Sequence, residues 1–146
     1  MRQADFAGTW YPGTRSECLR MIAEFERELG GPAAPEPGAV GVIAPHAGWV
    51  YSGATAWSAL SRAASPDVTT MVVFGTHLAP RDAPSVLSTD AWKLPARAVE
   101  IDEKLARAVG ELDGFLVETD TRYRRDNSIE LLVALAAFAW PGARLV

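Results

Sequence analysis

The stretch VIAPHAGWVYSG, Val42 to Gly53, contains the pattern on which the fold depends. Its apolar start is typical of a buried strand, Pro45 breaks that run, and His46 follows among small and aromatic residues. The second of the two histidines, His77, lies in a similar passage, VVFGTHLAP, from Val72 to Pro80. Both histidines therefore come just after an apolar run that predicts a strand.

Strand and helix patterns alternate outward from this stretch. Helices are predicted at 16–29, 51–65, 102–112 and 128–140, with Ser52, Asp102 and Ser128 as N-caps of the last three. Buried strands are predicted at 39–44 and 67–75, further strands at 114–120 and 142–146, and a hairpin or edge pair at 85–89 and 96–102. A loop rich in proline and glycine occupies 30–38. This order predicts one α/β domain over 1–146, a sheet flanked by helices.

The α/β pattern suggests where a site would lie. In open α/β sheets, ligands bind at the carboxyl ends of the strands. His46 and His77 are both predicted at such ends. We therefore expect two strands to bring two imidazoles to one crevice.

Composition limits the function classes. The net charge of −4 over 146 residues disfavours a nucleic-acid partner, which requires a basic face. One cysteine excludes an internal disulfide framework and fits a reducing compartment. No apolar run is long enough to span a bilayer, and the N-terminal stretch MRQADFAGTWYPG lacks the apolar core of a signal peptide. A cytoplasmic protein with no membrane partner is predicted.

Two histidines at one rim suggest a metal site, because neutral imidazole is a common ligand of iron, copper and zinc. Iron(II) sites often add one anionic ligand to two histidines. Cys18, Asp82 and Asp126 are the candidates for that ligand, although Cys18 on the first helix also fits a small buried hydrophobic residue. A hydrogen-bonded structural role for each histidine stays open.

Several motifs together resemble one known family. FAGTWYPG, APHAGWVYSG, GTHLAP and NSIELLVAL occur in the order found in the Memo-like family, which is related to the non-haem iron, class III extradiol dioxygenases. AWKLPARAVEID resembles a further element of that family. The resemblance covers nearly the whole chain but only the N-terminal half of the family's length. It implies a three-layer, extradiol-dioxygenase-like architecture in a half-length version.

The resemblance also implies roles for particular residues. His46 and His77 match the family's metal-ligating histidines, which implies iron, with copper or zinc as alternatives. The family's third ligand lies in the half that is not matched here. Asn127 and Asp126 stand where the family has a pocket histidine and a glutamate, and an asparagine side chain cannot act as an acid or base near neutral pH.

Five further residues are candidates for the same pocket, each with a structural alternative. Trp10, Tyr11, Trp49 and Tyr51 could line a pocket for a small aromatic molecule or a peptide, or could pack in core and loops. Glu130 could orient a histidine, or could be a first-turn acid favoured by the helix dipole.

Three functional hypotheses follow from these observations. The chain could be a metal-dependent, oxygenase-like enzyme whose site needs a partner chain. It could be a non-catalytic Memo-like module that binds a second subunit or its own copies. It could also be a truncated fragment of a longer Memo-like protein.

Overall fold

The computed structural model describes residues 1–75, 77, 79 and 81–146, in which helices and short strands alternate. The helices are α1 (Arg15–Glu28), α2 (Trp49–Ala63), α3 (Glu103–Gly110) and α4 (Asn127–Ala139). The strands are β1 (Arg2–Gln3), β2 (Thr70–Met71), β3 (Ser85–Leu87), β4 (Ala91–Lys93), β5 (Ala98–Glu100), β6 (Leu116–Glu118) and β7 (Arg144–Leu145). The predicted α/β class is confirmed.

The strands form three small hydrogen-bonded groups rather than one wide sheet. Within the described residues, β1, β4 and β5 form one group in that order, β2 pairs with β7, and β3 pairs with β6. The pair β4–β5 is antiparallel, and the other pairs are parallel. A single bridge between Ile101 and Leu145 places β7 beside the end of β5. The strands predicted around 85–89, 96–102, 114–120 and 142–146 are therefore present as β3, β5, β6 and β7. The predicted hairpin between 85–89 and 96–102 is wrong, because β3 pairs with β6 and β5 pairs with β4.

Helix α1 begins where its sequence provides a cap. The Thr14 hydroxyl accepts a hydrogen bond from the Glu17 amide at 3.3 Å and satisfies one free N–H of the first turn. Cys18, Ile22 and Phe25 then recur at helical spacing and are buried. The predicted helix 16–29 is confirmed within one residue at each end.

Helix α4 lies at the centre of the core. It is apolar nearly all round, and most of its residues, among them Leu131 and Val133, are buried, as the sequence predicts. Its N-cap, however, is Asp126, whose carboxylate accepts hydrogen bonds from the amide and the hydroxyl of Ser128. The predicted cap at Ser128 is wrong because a carboxylate two residues earlier takes the capping position.

Of the other two predicted caps, one is confirmed and one is wrong. Asp102 caps α3 by accepting the Leu105 amide at 3.2 Å, as predicted. Helix α2 instead begins at Trp49 after Gly48, and the Ser52 hydroxyl donates to the Ala47 carbonyl. The predicted cap at Ser52 is therefore wrong, because the helix starts one turn earlier than the alanine-rich run indicates.

Two predicted buried strands are largely wrong. Residues 39–44 are not a strand, and Val40 and Ile43 are fully exposed. In the predicted strand 67–75 only Thr70–Met71 is a strand, while Val72 and Phe74 are exposed. An apolar run indicates a tendency to be buried, but a strand also requires a neighbouring strand to pair with its backbone. No described strand takes that place beside 39–44.

Candidate functional site

The two histidines lie next to each other, although their sequence positions are 31 residues apart (77 − 46). His46 follows Pro45 just before α2 and is half-buried, while His77 follows the segment 72–75 and is exposed. Their ring centroids are 5.2 Å apart, with the ring planes at 79°. Neither histidine directly follows a described strand, since β2 ends at Met71. Both histidines therefore lie in segments outside the described strands, and not at strand ends as predicted.

The spacing of these rings is compatible with a shared ion. With metal–nitrogen bonds of about 2.1 Å, two imidazole centroids on one ion lie about 4.6 to 5.3 Å apart, for ligand angles of about 90° to 110°. The observed 5.2 Å falls within that range. Within the described residues, no group of three His, Cys, Asp or Glu side chains is close enough to hold a metal. The described donor set is therefore two imidazoles.

Asp126 links His77 to helix α4. One carboxylate oxygen, Oδ1, lies 3.4 Å from His77 Nδ1 and also accepts the Ser128 amide at 2.7 Å. Burial acts to raise the pKa of Asp126, but the hydrogen bonds from Ser128 and the nearby His77 outweigh it and lower that pKa below its ordinary value. An anionic carboxylate beside Nδ1 favours the tautomer with a proton on Nδ1 and a free lone pair on Nε2.

Asn127, the first residue of α4, is half-buried and directly follows Asp126. Its amide can donate and accept hydrogen bonds but has no titration near neutral pH. Position 127 therefore has no side chain that can act as an acid or base near neutral pH. The helix start places that amide at the same end of α4 as the histidine pair.

Glu130 has partners other than the histidines. Its carboxylate is fully buried and accepts hydrogen bonds from the Asp5 amide at 2.9 Å, the Phe6 amide at 2.8 Å and the Tyr11 hydroxyl at 2.9 Å. Burial raises the pKa of Glu130, and these three donors act in the opposite direction. Glu130 thus joins the N-terminal segment to α4, a role that its first-turn position alone does not reveal.

The four candidate pocket aromatics divide into two pairs. Tyr11 and Trp49 are buried, with ring centroids 5.3 Å apart, and Trp49 Nε1 donates to the Leu131 carbonyl at 3.2 Å. Trp10 and Tyr51 are exposed. The first pair therefore packs in the core, and only the second pair is available at the surface.

Asp82 and Cys18, the other acid and thiol considered as ligands, have their own partners. Asp82 forms an ion pair with Arg124 at 2.7 Å, and its hydrogen bonds from Arg124 and from the Ala79 amide lower its pKa. Cys18 is fully buried on α1, its Sγ lies 3.4 Å from the Pro12 carbonyl oxygen, and burial raises its pKa to about 11. A buried thiol of raised pKa is less readily deprotonated than an exposed one.

A cavity of about 860 Å³ adjoins His46. It lies between the segments 39–44 and 70–75, both of which line it, and its apolar wall includes Leu132, Ala136 and Trp140. These three residues recur at four-residue spacing on one face of α4 and its C-cap. This wall was not predicted, although the four-residue spacing in the sequence indicates it.

Fold and site together define an α/β protein with a paired-histidine cleft beside an apolar cavity. The sequence model of the Memo-like protein family matches residues 2–146. The chain therefore belongs to the Memo-like family, as the motifs predicted.

Individual relatives agree with this assignment. A MEMO1 family protein of Aeropyrum pernix is 31% identical over 97% of this chain and 54% of its own length. One from Methanothermobacter thermautotrophicus is 31% identical over 100% of this chain and 55% of its own length. One from Methanosarcina barkeri is 36% identical over 90% of this chain and 47% of its own length. The chain spans about half the length of the curated relatives it matches.

No helix in the described part of the chain has the length and apolar character needed to cross a membrane.

Proposed function

We propose that His46 and His77 form the two-imidazole part of a transition-metal site in a protein related to the class III extradiol dioxygenases. The observation that carries this proposal is the 5.2 Å separation of the two rings. The Memo-like match over residues 2–146 supports a half-length version of the three-layer dioxygenase-like architecture. The single cysteine supports the predicted cytoplasmic location.

The residues of this chain fit iron(II), with copper or zinc as alternatives. Iron held by two histidines and one anionic ligand supplies oxygen activation. Here His46 and His77 would hold the ion, and Asp126, 3.4 Å from His77 Nδ1, would orient the second imidazole. We propose that a second polypeptide provides the third ligand, because the described donors include no anionic group able to complete the set.

Proton transfer would be a second requirement of such a site. Asn127 occupies the position that the family resemblance assigns to a pocket histidine, and its amide cannot act as an acid or base near neutral pH. Loss of a positioned acid–base group reduces rate by about a hundredfold or more. We therefore propose that the chain alone binds metal without cleaving aromatic rings, and that a complete site would accept a small aromatic molecule or a peptide.

Metal titration tests this proposal directly. Purified protein is titrated anaerobically with iron(II), and separately with copper(II) and zinc, and the bound metal is measured by elemental analysis. Near-equimolar binding is expected, with affinity at least about tenfold lower in His46→Ala and in His77→Ala. Asp82→Asn, which removes an exposed acid paired with Arg124, is the matched control. Equal metal content in all four proteins would refute the proposal.

A non-catalytic binding module is the second candidate. The specific observation in its favour is Asn127, an amide at a position where chemistry requires an ionisable group. Such a module would use the cavity beside His46 for binding a partner and would not depend on metal. Partner binding that is unchanged in His46→Ala and in the presence of EDTA would favour this candidate over the first.

A further inference from the structure

Helix α3 turns small residues toward the protein and large apolar residues toward solvent. Ala106 is fully buried, and a Cβ at Gly110 would lie only 2.9 Å from Val117 Cγ2 on β6. On the outer side, Leu105 is 38% exposed and Leu112, just after the helix, is 55% exposed. An amphipathic helix ordinarily buries its large apolar side chains, so the outer side of α3 has the character of a contact surface.

Three exposed residues on this outer side form one apolar row, which we call the α3 stripe: Leu105, Ala108 and Leu112. They are spaced three and four residues apart, which places them on one side of a helix. The Leu112 amide donates to the Val109 carbonyl at 3.1 Å, so the backbone stays coiled to the end of the stripe. Apolar residues at this spacing form the seam along which two helices pack.

Two opposite charges border the α3 stripe. Lys104 lies beside its beginning and Glu111 beside its end, and both side chains are exposed. Along the helix axis they are about 10 Å apart, at 1.5 Å per residue. Among the ion pairs formed within the described residues, none includes Lys104 or Glu111. Both charges are therefore available to a partner that packs along the stripe.

The order of these charges makes the stripe complementary to itself. In an antiparallel pair of α3 helices that crosses at Ala108, Lys104 of each copy comes opposite Glu111 of the other. In the same pair Leu105 comes opposite Leu112, and the small side chain of Ala108 allows the helix axes to approach closely. A parallel pair would instead bring like charges together, which is repulsive. Self-complementarity of this kind is what a two-fold dimer interface requires.

We infer that the α3 stripe is a homodimer interface, covered by the same stripe of a second copy in antiparallel orientation. The contact is only about three helical turns long, so we expect a weak dimer at the low end of specific interfaces, below about 1,200 Å² of buried surface. This inference goes beyond the proposed function and does not depend on it. Neither histidine belongs to the stripe, and no stripe residue lines the cavity beside His46.

Sedimentation equilibrium of the full chain tests the inference, in buffer with EDTA so that no metal bridges two copies. We expect a monomer–dimer equilibrium in the micromolar range. Leu112→Asp should weaken the dimer by about tenfold or more, because it places a charge in an apolar contact. Leu19→Asp, the same substitution at an exposed leucine of α1, is the matched control and should leave the dimer unchanged. A chain that stays monomeric at every concentration would overturn the inference, as would a dimer that Leu112→Asp leaves intact.

Charge exchange tests the antiparallel orientation. Lys104→Glu and Glu111→Lys should each weaken the homodimer by about tenfold or more, because each turns two attractive contacts into repulsive ones. An equimolar mixture of these two variants should form a heterodimer, since position 104 of each chain then faces the opposite charge at position 111 of the other. The chain that carries both substitutions should form the homodimer again. Failure of either combination to associate, with circular dichroism showing folded protein, would overturn the inference.

Discussion

Removal of the Glu130 carboxylate is the sharpest test of how the N-terminal segment is attached to α4. Glu130→Ala deletes the acceptor of three hydrogen bonds of 2.8 to 2.9 Å, from the Asp5 amide, the Phe6 amide and the Tyr11 hydroxyl. A hydrogen bond to a charged acceptor contributes about 1.5 to 3 kcal/mol, so the three contribute about 4.5 to 9 kcal/mol before desolvation is counted. Burying the carboxylate offsets several kcal/mol of that sum.

The expected net loss in the free energy of unfolding is about 3 to 5 kcal/mol for Glu130→Ala, because three donors are left buried without an acceptor. Urea denaturation followed by circular dichroism measures it. Tyr11→Phe removes one of the three donors and should cost about 1 to 2 kcal/mol. Glu24→Gln, at an exposed position of α1, is the control and should change stability by less than about 0.5 kcal/mol.

The pH dependence gives a second measurement on the same residue. Burial raises the pKa of Glu130 above its ordinary value of 4.5, so the folded chain holds this proton more tightly than the unfolded chain does. The contribution of Glu130 to the free energy of unfolding is therefore greatest below about pH 4.5 and decreases as pH rises through the raised pKa. Glu130→Gln should remove this decrease. A loss below about 1 kcal/mol in Glu130→Ala, or an unchanged pH profile in Glu130→Gln, would refute the reasoning.

Three further experiments test the packing and the site. Gly53→Ala should lower the free energy of unfolding by about 1 to 3 kcal/mol in thermal denaturation, because a Cβ there overlaps the Phe25 ring between α1 and α2; an unchanged melting temperature would contradict this packing. Asp126→Asn should keep the helix cap, since asparagine caps as well as aspartate, but should reduce metal affinity about tenfold or more because it removes the negative charge beside His77; equal affinity would show that this charge has no such role. Cys18, with a pKa raised to about 11 by burial, should resist iodoacetamide at pH 8 in the folded chain and react in urea, and equal rates would show that the thiol is accessible.

Local patterns in the sequence predict the helices well. Ile22 and Phe25 repeat on one face of α1, and Asp102 lies where a carboxylate caps α3. Such signals act over three or four residues, so they do not depend on the rest of the fold. Asp126 and Ser128 can both cap α4, and the sequence pattern does not show which of the two takes the N-cap position.

The sequence by itself determined the α/β class, the helices and the motifs of the Memo-like family. Tertiary structure alone decided that Val40 and Ile43 are exposed, that Glu130 binds the N-terminal segment, and that the rings of His46 and His77 lie 5.2 Å apart. Helix formation depends on neighbours along the chain, whereas strand pairing and side-chain convergence depend on segments far away in sequence. An apolar run such as 39–44 favours burial, but it becomes a buried strand only when another segment pairs with its backbone.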